Sequence, residues 1–146
     1  MTTVNKVMTR GVKSLGPSDT VTTAAKAMDE LNVGVIPICE GGKLLGVVTD
    51  RDIVVRAVAL GLELSATKLS DVMSSNVRTV EEGDDVDDIL QEMAQSQIRR
   101  LPVVDASGML IGIVSLGDVA SKSIDDETDV GESLAAISSP AEPDRS

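Results

Sequence analysis

The feature that most constrains this chain is an internal duplication with an offset of about 65 residues. Residues 7–9, Val-Met-Thr, return as residues 72–74, Val-Met-Ser. Residues 46–52, GVVTDRD, return as residues 112–118, GIVSLGD. A duplication on this scale predicts two structural units built on one plan, so the fold must be read as a pair of repeats.

Each copy carries the pattern of one amphipathic helix followed by two strands. Apolar residues recur at positions i, i+3, i+4 and i+7 in both copies: Val21, Ala24, Ala25 and Met28, then Val86, Ile89, Leu90 and Met93. This spacing places them on one helix face. Two apolar runs joined by a turn follow in each copy: 35–39 and 44–49, then 101–104 and 110–115. These runs predict β-hairpins.

A short extended run precedes the first helix of each copy, and a second helix follows the hairpin. In copy one this second helix places apolar residues on one face: Ile53, Val54, Ala57 and Val58. The chain is therefore predicted to be an α/β (α+β) protein with two tandem β-α-β-β-α repeats. The expected boundaries are 1–61 for repeat 1 with its lead-in, 62–71 for a linker, 72–122 for repeat 2 and 123–146 for an acidic, disordered tail.

Composition argues against several classes of function. The chain has no aromatic residue and a formal charge of −11, which disfavours nucleic-acid binding. It has no histidine, so the familiar hydrolase triads and histidine metal sites are excluded. No apolar run approaches the ~20 residues that span a bilayer. Cys39 is the single cysteine and is expected to be a buried apolar residue, which is compatible with a cytoplasmic protein.

The strongest motif is a glycine and two apolar residues followed by a hydroxyl residue, with an aspartate three places later, and each copy follows a strand that contains a proline, Pro37 or Pro102. It occurs twice, as Thr49 with Asp52 and as Ser115 with Asp118. With the two repeats, this pattern resembles the tandem CBS domain pair, or Bateman module, over residues 5–121. Within that family the chain resembles the small stand-alone bacterial CBS-pair proteins.

The resemblance implies two repeats packed as a pseudo-twofold pair and a non-catalytic regulatory module. It implies a ligand such as AMP, ADP, ATP or S-adenosylmethionine, held in clefts between the repeats, with no required cofactor. It also implies a homodimer. The alternative is a ligand-free structural or protein-interaction module that acts through its dimer surface and acidic tail, for instance in a stress response.

Several side chains are candidate contacts for such a ligand. A carboxylate at a helix start accepts hydrogen bonds from both hydroxyls of a ribose, which suits Asp52 and Asp118. Thr49 and Ser115 are placed to bond ribose or α-phosphate beside a helix N-terminus. The aliphatic surfaces expected around adenine are contributed by Val12, Val77, Pro37 and Pro102. The competing interpretation is that each motif is a plain helix N-cap.

Basic residues distinguish the copies. Arg99 and Arg100 precede the second strand of copy two, where copy one has Gly34 and Val35. The family resemblance implies that basic residues here contact ligand phosphates, and Arg51 is a further candidate. We therefore expect one competent phosphate site and one poorer cleft. The alternative is that Arg99 and Arg100 pair with acids such as Glu92 or Asp105.

An acidic cluster at residues 81–88 raises the possibility of a bound metal ion. Hard cations favour clustered carboxylates, but this spacing does not match a calcium-binding loop. Acidic residues at a helix start are also stabilised by its dipole. The sequence therefore predicts a solvated helix N-terminus and no metal site.

Overall fold

The computed structural model of this protein describes residues 2–122, which form two compact units. The repeat-1 unit is Lys13–Val77, and the repeat-2 unit combines residues 2–12 with residues 78–122. These units differ from the contiguous sequence copies, because the N-terminal lead-in belongs to the repeat-2 unit and residues 62–77 belong to the repeat-1 unit. The expected acidic tail, residues 123–146, lies outside the described residues.

The repeat-1 unit is a helix, a β-hairpin and a second helix. Its elements are α1 (Val21–Leu31), β1 (Val35–Glu40), β2 (Lys43–Thr49), α2 (Asp50–Ile53) with a π-helical continuation (Val54–Val58), and a 3-10 turn (Leu69–Asp71). Thr20 caps α1 by accepting a hydrogen bond from the Thr23 amide at 3.3 Å. β1 and β2 pair in antiparallel fashion, as the apolar runs predict.

The repeat-2 unit has the same plan with one additional strand. Its elements are a 3-10 turn (Val4–Lys6), β3 (Val80–Glu81), α3 (Val86–Ser96), β4 (Arg100–Val104), β5 (Leu110–Ser115) and α4 (Leu116–Lys122). β3 is parallel to β4, and β4 is antiparallel to β5. In the repeat-1 unit the predicted first strand is reduced to a single bridge between Leu15 and Ile38. None of the helices within residues 2–122 is long and apolar enough to cross a membrane.

Each unit has its own apolar core. The α3 stripe is buried as predicted, comprising Val86, Ile89, Leu90 and Met93. In α1 the structure buries Val21, Ala24 and Met28 but exposes Ala25 and buries Ala27 in its place. Burying a Val, Leu or Met side chain contributes about 1.5–3 kcal/mol, whereas the small area of Ala gives it little preference for either face.

The second helix of repeat 1 also departs from its predicted face. Ile53 and Ala57 are buried, whereas Val54 and Val58 are exposed. Ile53 and Ala57 are four residues apart and share the buried face of the helix. Val54 and Val58, one position further along, lie on the exposed side. The result is an exposed apolar strip on this helix.

The segment that leads into each sequence copy pairs with the hairpin of the other copy. The segment around Thr9 pairs with β5, and the segment around Ser74 pairs with β2. Thr9 and Ile113 exchange both backbone hydrogen bonds, at 2.8 and 3.0 Å. Ser74 and Val47 do the same at 2.8 and 2.9 Å. These contacts satisfy backbone groups at the open edges of β5 and β2. They also bring the hydroxyl side chains of Thr9 and Ser74 to the strand ends where the two hydroxyl-aspartate motifs lie.

Candidate functional site

Thr49 and Asp52 form a reciprocal cap at the junction of β2 and α2. The Asp52 amide donates to Thr49 Oγ1 at 3.0 Å, and the Thr49 amide donates to Asp52 Oδ2 at 3.0 Å. This is a capping box, which satisfies two backbone N–H groups that the helix start leaves unpaired. Asp52 is 8% exposed. The N-cap interpretation is therefore realised in the structure.

Ser115 and Asp118 form the same cap at the junction of β5 and α4. The Asp118 amide donates to Ser115 Oγ at 3.0 Å, and the Ser115 amide donates to Asp118 Oδ2 at 3.1 Å. In both units the backbone amide is paired with Oδ2. The caps do not use Oδ1 of either aspartate, so a structural role of the motif leaves acceptor capacity for a second partner.

Each aspartate also accepts a hydrogen bond from the lead-in, which sequence reasoning did not anticipate. Ser74 Oγ lies 3.3 Å from Asp52 Oδ1 and 3.4 Å from Oδ2. Thr9 Oγ1 lies 3.4 Å from Asp118 Oδ1 and 3.3 Å from Oδ2. The signal in the sequence was the repeat itself, because Thr9 and Ser74 occupy matching places in the two copies.

Arg56 is a second partner of Asp52 that the sequence did not single out. Its Nε lies 3.8 Å from Asp52 Oδ1, one helical turn away, and its Nη1 donates to the Met73 carbonyl at 3.1 Å. The guanidinium thus joins the aspartate to the backbone that precedes Ser74. Because the Arg56 side chain is half exposed, this ion pair is a weak one.

The candidate adenine-contacting residues lie on both sides of the strand that carries each hydroxyl-aspartate motif. Val12 and Val77 are half-buried and follow the lead-in hydroxyl residues by three positions. Pro37 and Pro102 are buried on the neighbouring strands, paired with Val47 and Ile113. Each unit therefore brings its proline, lead-in hydroxyl and capping pair together on consecutive strands.

Arg100 is the most unusual cation of the site. It begins β4 directly opposite Ser115, and residues that face each other across a strand pair project from the same side of the sheet. Its Nε is buried and has no hydrogen-bond partner among residues 2–122. The matching position in repeat 1 is Val35, opposite Thr49. The structure thus preserves the asymmetry that the sequence indicated.

The acids proposed as alternative partners for these arginines each have another contact. Glu92 accepts from Arg78 at 2.7 Å, and Asp105 Oδ1 accepts from the amides of Ser107 and Met109 at 2.9 and 3.0 Å. Arg99 is half-buried immediately before β4, and its carbonyl accepts from the Leu116 amide at 2.8 Å. Arg51 is exposed on α2, next to Asp52.

The acidic segment at residues 81–88 behaves as a helix start. Asp84 Oδ2 accepts from the Glu81 amide at 2.8 Å, and Asp85 Oδ1 accepts from the Asp87 amide at 3.0 Å. Within residues 2–122 no group of three or more acidic or cysteine side chains is arranged to hold a metal ion. The Asp84 and Asp85 carboxylates serve local turns, and Glu82 pairs with Arg10 at 3.8 Å.

The family model for the CBS domain matches residues 4–58 and 69–133. The chain belongs to the CBS domain family. Its CBS pair is 42% identical over 138 residues to the CBS domain-containing protein YhcV of Bacillus subtilis, covering 94% of this chain and 96% of YhcV. It is 35% identical over 121 residues to hypoxic response protein 1 of Mycobacterium tuberculosis, covering 82% and 84% of the two chains.

Two solved CBS-pair structures carry adenosyl ligands. CBSX2 in complex with AMP matches with a TM-score of 0.77 and 28% identity, over 87% of this chain and 99% of that one. The CBS domain pair of MJ0100, in complex with 5'-methylthioadenosine and S-adenosyl-L-methionine, matches with a TM-score of 0.71 and 28% identity, over 83% and 94%. The α/β CBS-pair fold is thereby established.

An enzyme also shares this domain, but only in part. The inosine-5'-monophosphate dehydrogenase of Thermoplasma acidophilum is 29% identical over 116 residues, which are 22% of that enzyme. YhcV, by contrast, is matched over nearly its whole length. The similarity is therefore to stand-alone CBS pairs and not to a catalytic domain.

Proposed function

We propose that this CBS pair is a non-catalytic sensor of an adenine nucleotide or a related adenosyl ligand. The observation that carries the proposal is the placement of Arg100 opposite Ser115, with a buried Nε that has no hydrogen-bond partner among residues 2–122. A buried guanidinium donor without an acceptor is costly, and an anionic ligand would relieve that cost. The AMP complex of CBSX2 supports an adenosyl ligand.

The capping pairs supply the second element of recognition. The vicinal hydroxyls of a ribose donate two hydrogen bonds to one carboxylate, which suits Asp118 and Asp52. Thr49 and Ser115 lie at the adjoining strand ends, where a ribose or α-phosphate would meet their hydroxyl groups. The apolar side chains of Val12, Val77, Pro37 and Pro102 are the candidate surface for adenine.

The proposal includes an asymmetry between the two units. The repeat-2 unit has Arg99 and Arg100 at the start of β4, whereas the repeat-1 unit has Gly34 and Val35. In the repeat-1 unit Arg51 is the predicted basic candidate, and Arg56 is already held by Asp52 and the Met73 carbonyl. We therefore assign the stronger phosphate recognition to the repeat-2 unit.

Titration calorimetry with AMP, ADP, ATP, S-adenosylmethionine and adenosine tests this function. Binding by at least one of them is expected, with Asp118→Ala weakening it at least tenfold through loss of the diol acceptor. Absence of heat or competition from all five at millimolar concentration would reject the ligand-sensing function. It would favour the alternative, a structural or protein-interaction module, for which the reciprocal caps are sufficient explanation of both motifs.

We further propose that the protein acts in the cytoplasm as a homodimer. The second helix of repeat 1 and the turn after it expose four large apolar side chains by 51–69%: Val54, Val55, Val58 and Leu60. Contiguous exposed apolar side chains mark interaction surfaces. A second copy of this chain is the partner that the CBS-pair resemblance implies, and sedimentation or light scattering measures it directly.

A further inference from the structure

The lead-in hydroxyl groups adopt one geometry in both units, although one is a serine and the other a threonine. Ser74 Oγ is 3.3 and 3.4 Å from the two oxygens of Asp52, and Thr9 Oγ1 is 3.4 and 3.3 Å from those of Asp118. Helix capping does not require these contacts, because Thr49 and Ser115 already complete the caps. They need a separate explanation.

A donor almost equidistant from both carboxylate oxygens stands where a diol would approach. A ribose delivers one hydrogen to each oxygen, so it needs the face of the carboxylate that the lead-in hydroxyl now covers. The hydroxyl contacts are long for O–H···O bonds, whose usual distance is about 2.7–2.8 Å. They are therefore weak enough for a bidentate donor to displace.

Displacement requires only a side-chain rotation. The backbone of Ser74 is fixed to Val47 by two hydrogen bonds, and that of Thr9 is fixed to Ile113 in the same way. Rotation about χ1 moves each hydroxyl to another staggered position while the lead-in stays docked. The displaced lead-in hydroxyl thus leaves its backbone docked, although the small contribution of the hydroxyl contact to that docking is lost.

We propose that Ser74 and Thr9 are internal ligands of the two aspartates, which hold the ribose position until a vicinal diol displaces them. This inference rests on the proposed adenosyl-sensing function and adds a specificity rule to it. A ligand with both ribose hydroxyls replaces the lost contact with two new ones. A 2'-deoxy ligand replaces it with one and gains correspondingly less.

Two variants with matched controls test the inference. Thr9→Val removes the hydroxyl at constant shape, and Thr79→Val makes the same change at an exposed position of the same unit. Ser74→Ala is matched by Ser75→Ala, an exposed neighbour in the same lead-in. We expect Thr9→Val or Ser74→Ala to bind AMP about three- to fivefold more tightly, the effect of one weak hydrogen bond, with the controls unchanged. 2'-Deoxy-AMP should bind the wild type more weakly than AMP but gain by the same factor in these variants, because both ligands displace the same contact.

Opposite outcomes are equally informative. Weaker AMP binding by both variants would mean that the hydroxyls contact the ligand directly, and unchanged binding would mean that they do not compete with it. Either result overturns the inference while leaving the sensing function in place.

A ligand-free measurement separates the two claims. If the wild-type chain binds no adenosyl ligand, the proposed function fails, and the internal contact is judged by amide hydrogen exchange. Loss of the contact should speed exchange of the Thr9 and Ile113 amides about threefold in Thr9→Val but not in Thr79→Val, as expected for one weak hydrogen bond. Equal exchange in both variants would show that the contact between Thr9 Oγ1 and Asp118 contributes nothing in the free protein, which overturns the inference.

Discussion

Gly46 in β2 approaches Ser74 so closely that a Cβ on the glycine would lie 2.3 Å from the Ser74 carbonyl oxygen. Gly112 in β5 stands in the same relation to Thr9, at 2.6 Å. No real side chain tolerates such distances, so only glycine lets each lead-in dock on its strand. The two glycines therefore position the lead-in hydroxyl groups at the aspartates.

Gly46→Ala is expected to destabilise the protein by about 1–3 kcal/mol, because the new methyl group forces the docked lead-in away from β2. Urea unfolding measures the change. Gly83→Ala is the matched control, since a Cβ there meets nothing within 4 Å. Equal stability of the two variants would contradict the close approach between Gly46 and Ser74.

Thr49→Ala should lower the free energy of unfolding by about 1 kcal/mol, the usual value of an N-cap side chain. Thr49→Ser retains the hydroxyl and should recover most of the loss. If serine is no better than alanine, the hydrogen bond from the Asp52 amide to Thr49 Oγ1 does not stabilise α2. Thermal and urea unfolding of the three proteins decide the point.

Arg100→Met should leave the ligand-free protein as stable as the wild type or about 1 kcal/mol more stable, because it removes a buried donor that finds no acceptor within residues 2–122. The same variant should lose affinity for AMP much more than for adenosine. Arg78→Met, which breaks an exposed pair with Glu92, is the control and should not alter this selectivity. Equal losses for AMP and adenosine would show that Arg100 does not recognise the phosphate.

Val58→Asp should convert a dimer into a monomer, since a charge in an apolar interface is not compensated there. Val58 is 53% exposed within the chain, so the substitution should barely alter monomer stability. Light scattering should show the mass halving, while Ser70→Asp, another exposed position, leaves it unchanged. A wild-type mass equal to one chain would reject the dimer outright.

Burial raises the pKa of the Cys39 thiol above its ordinary value near 9.0, and a hydrogen bond with Ser14 opposes this effect. Because the folded state favours the neutral thiol, its contribution to stability is complete below the ordinary pKa and is lost as the pH rises through the folded value. Above pH 9 the free energy of unfolding of the wild type should therefore fall relative to that of Cys39→Ala. A difference independent of pH up to 10.5 would show that the thiol is not desolvated.

The sequence pattern predicted those elements of the fold that depend on residues close together in the chain. The stripe of α3 and both hairpins are confirmed, because large apolar residues and turn residues dictate burial and reversal over a few positions. Ala25 misled the α1 prediction, since alanine has too little apolar area to determine a helix face. The prediction for the next helix was wrong at Val54 and Val58 for a different reason. Both are large apolar residues, yet they lie on the exposed side of the helix.

The candidate site was predictable only in part. Thr49 and Asp52 are three residues apart and meet by local capping, as do Ser115 and Asp118. Thr9 reaches Asp118 across 109 residues, and no periodicity specifies such a partner. The glycines of β2 and β5 were the available signal, since a glycine inside a strand often marks the close approach of another backbone.

The exchange of lead-ins has a consequence for how such a chain arises. In this chain the lead-in of copy one docks on the hairpin of copy two, and the lead-in of copy two docks on the hairpin of copy one. A single ancestral copy of about 61 residues would therefore have a lead-in that does not dock on its own hairpin. It could satisfy both lead-in and hairpin only by trading segments with another molecule, as in a domain-swapped dimer. Fusing two copies in tandem makes that trade intramolecular and independent of protein concentration. In the tandem chain, each hairpin therefore receives its lead-in from the same molecule.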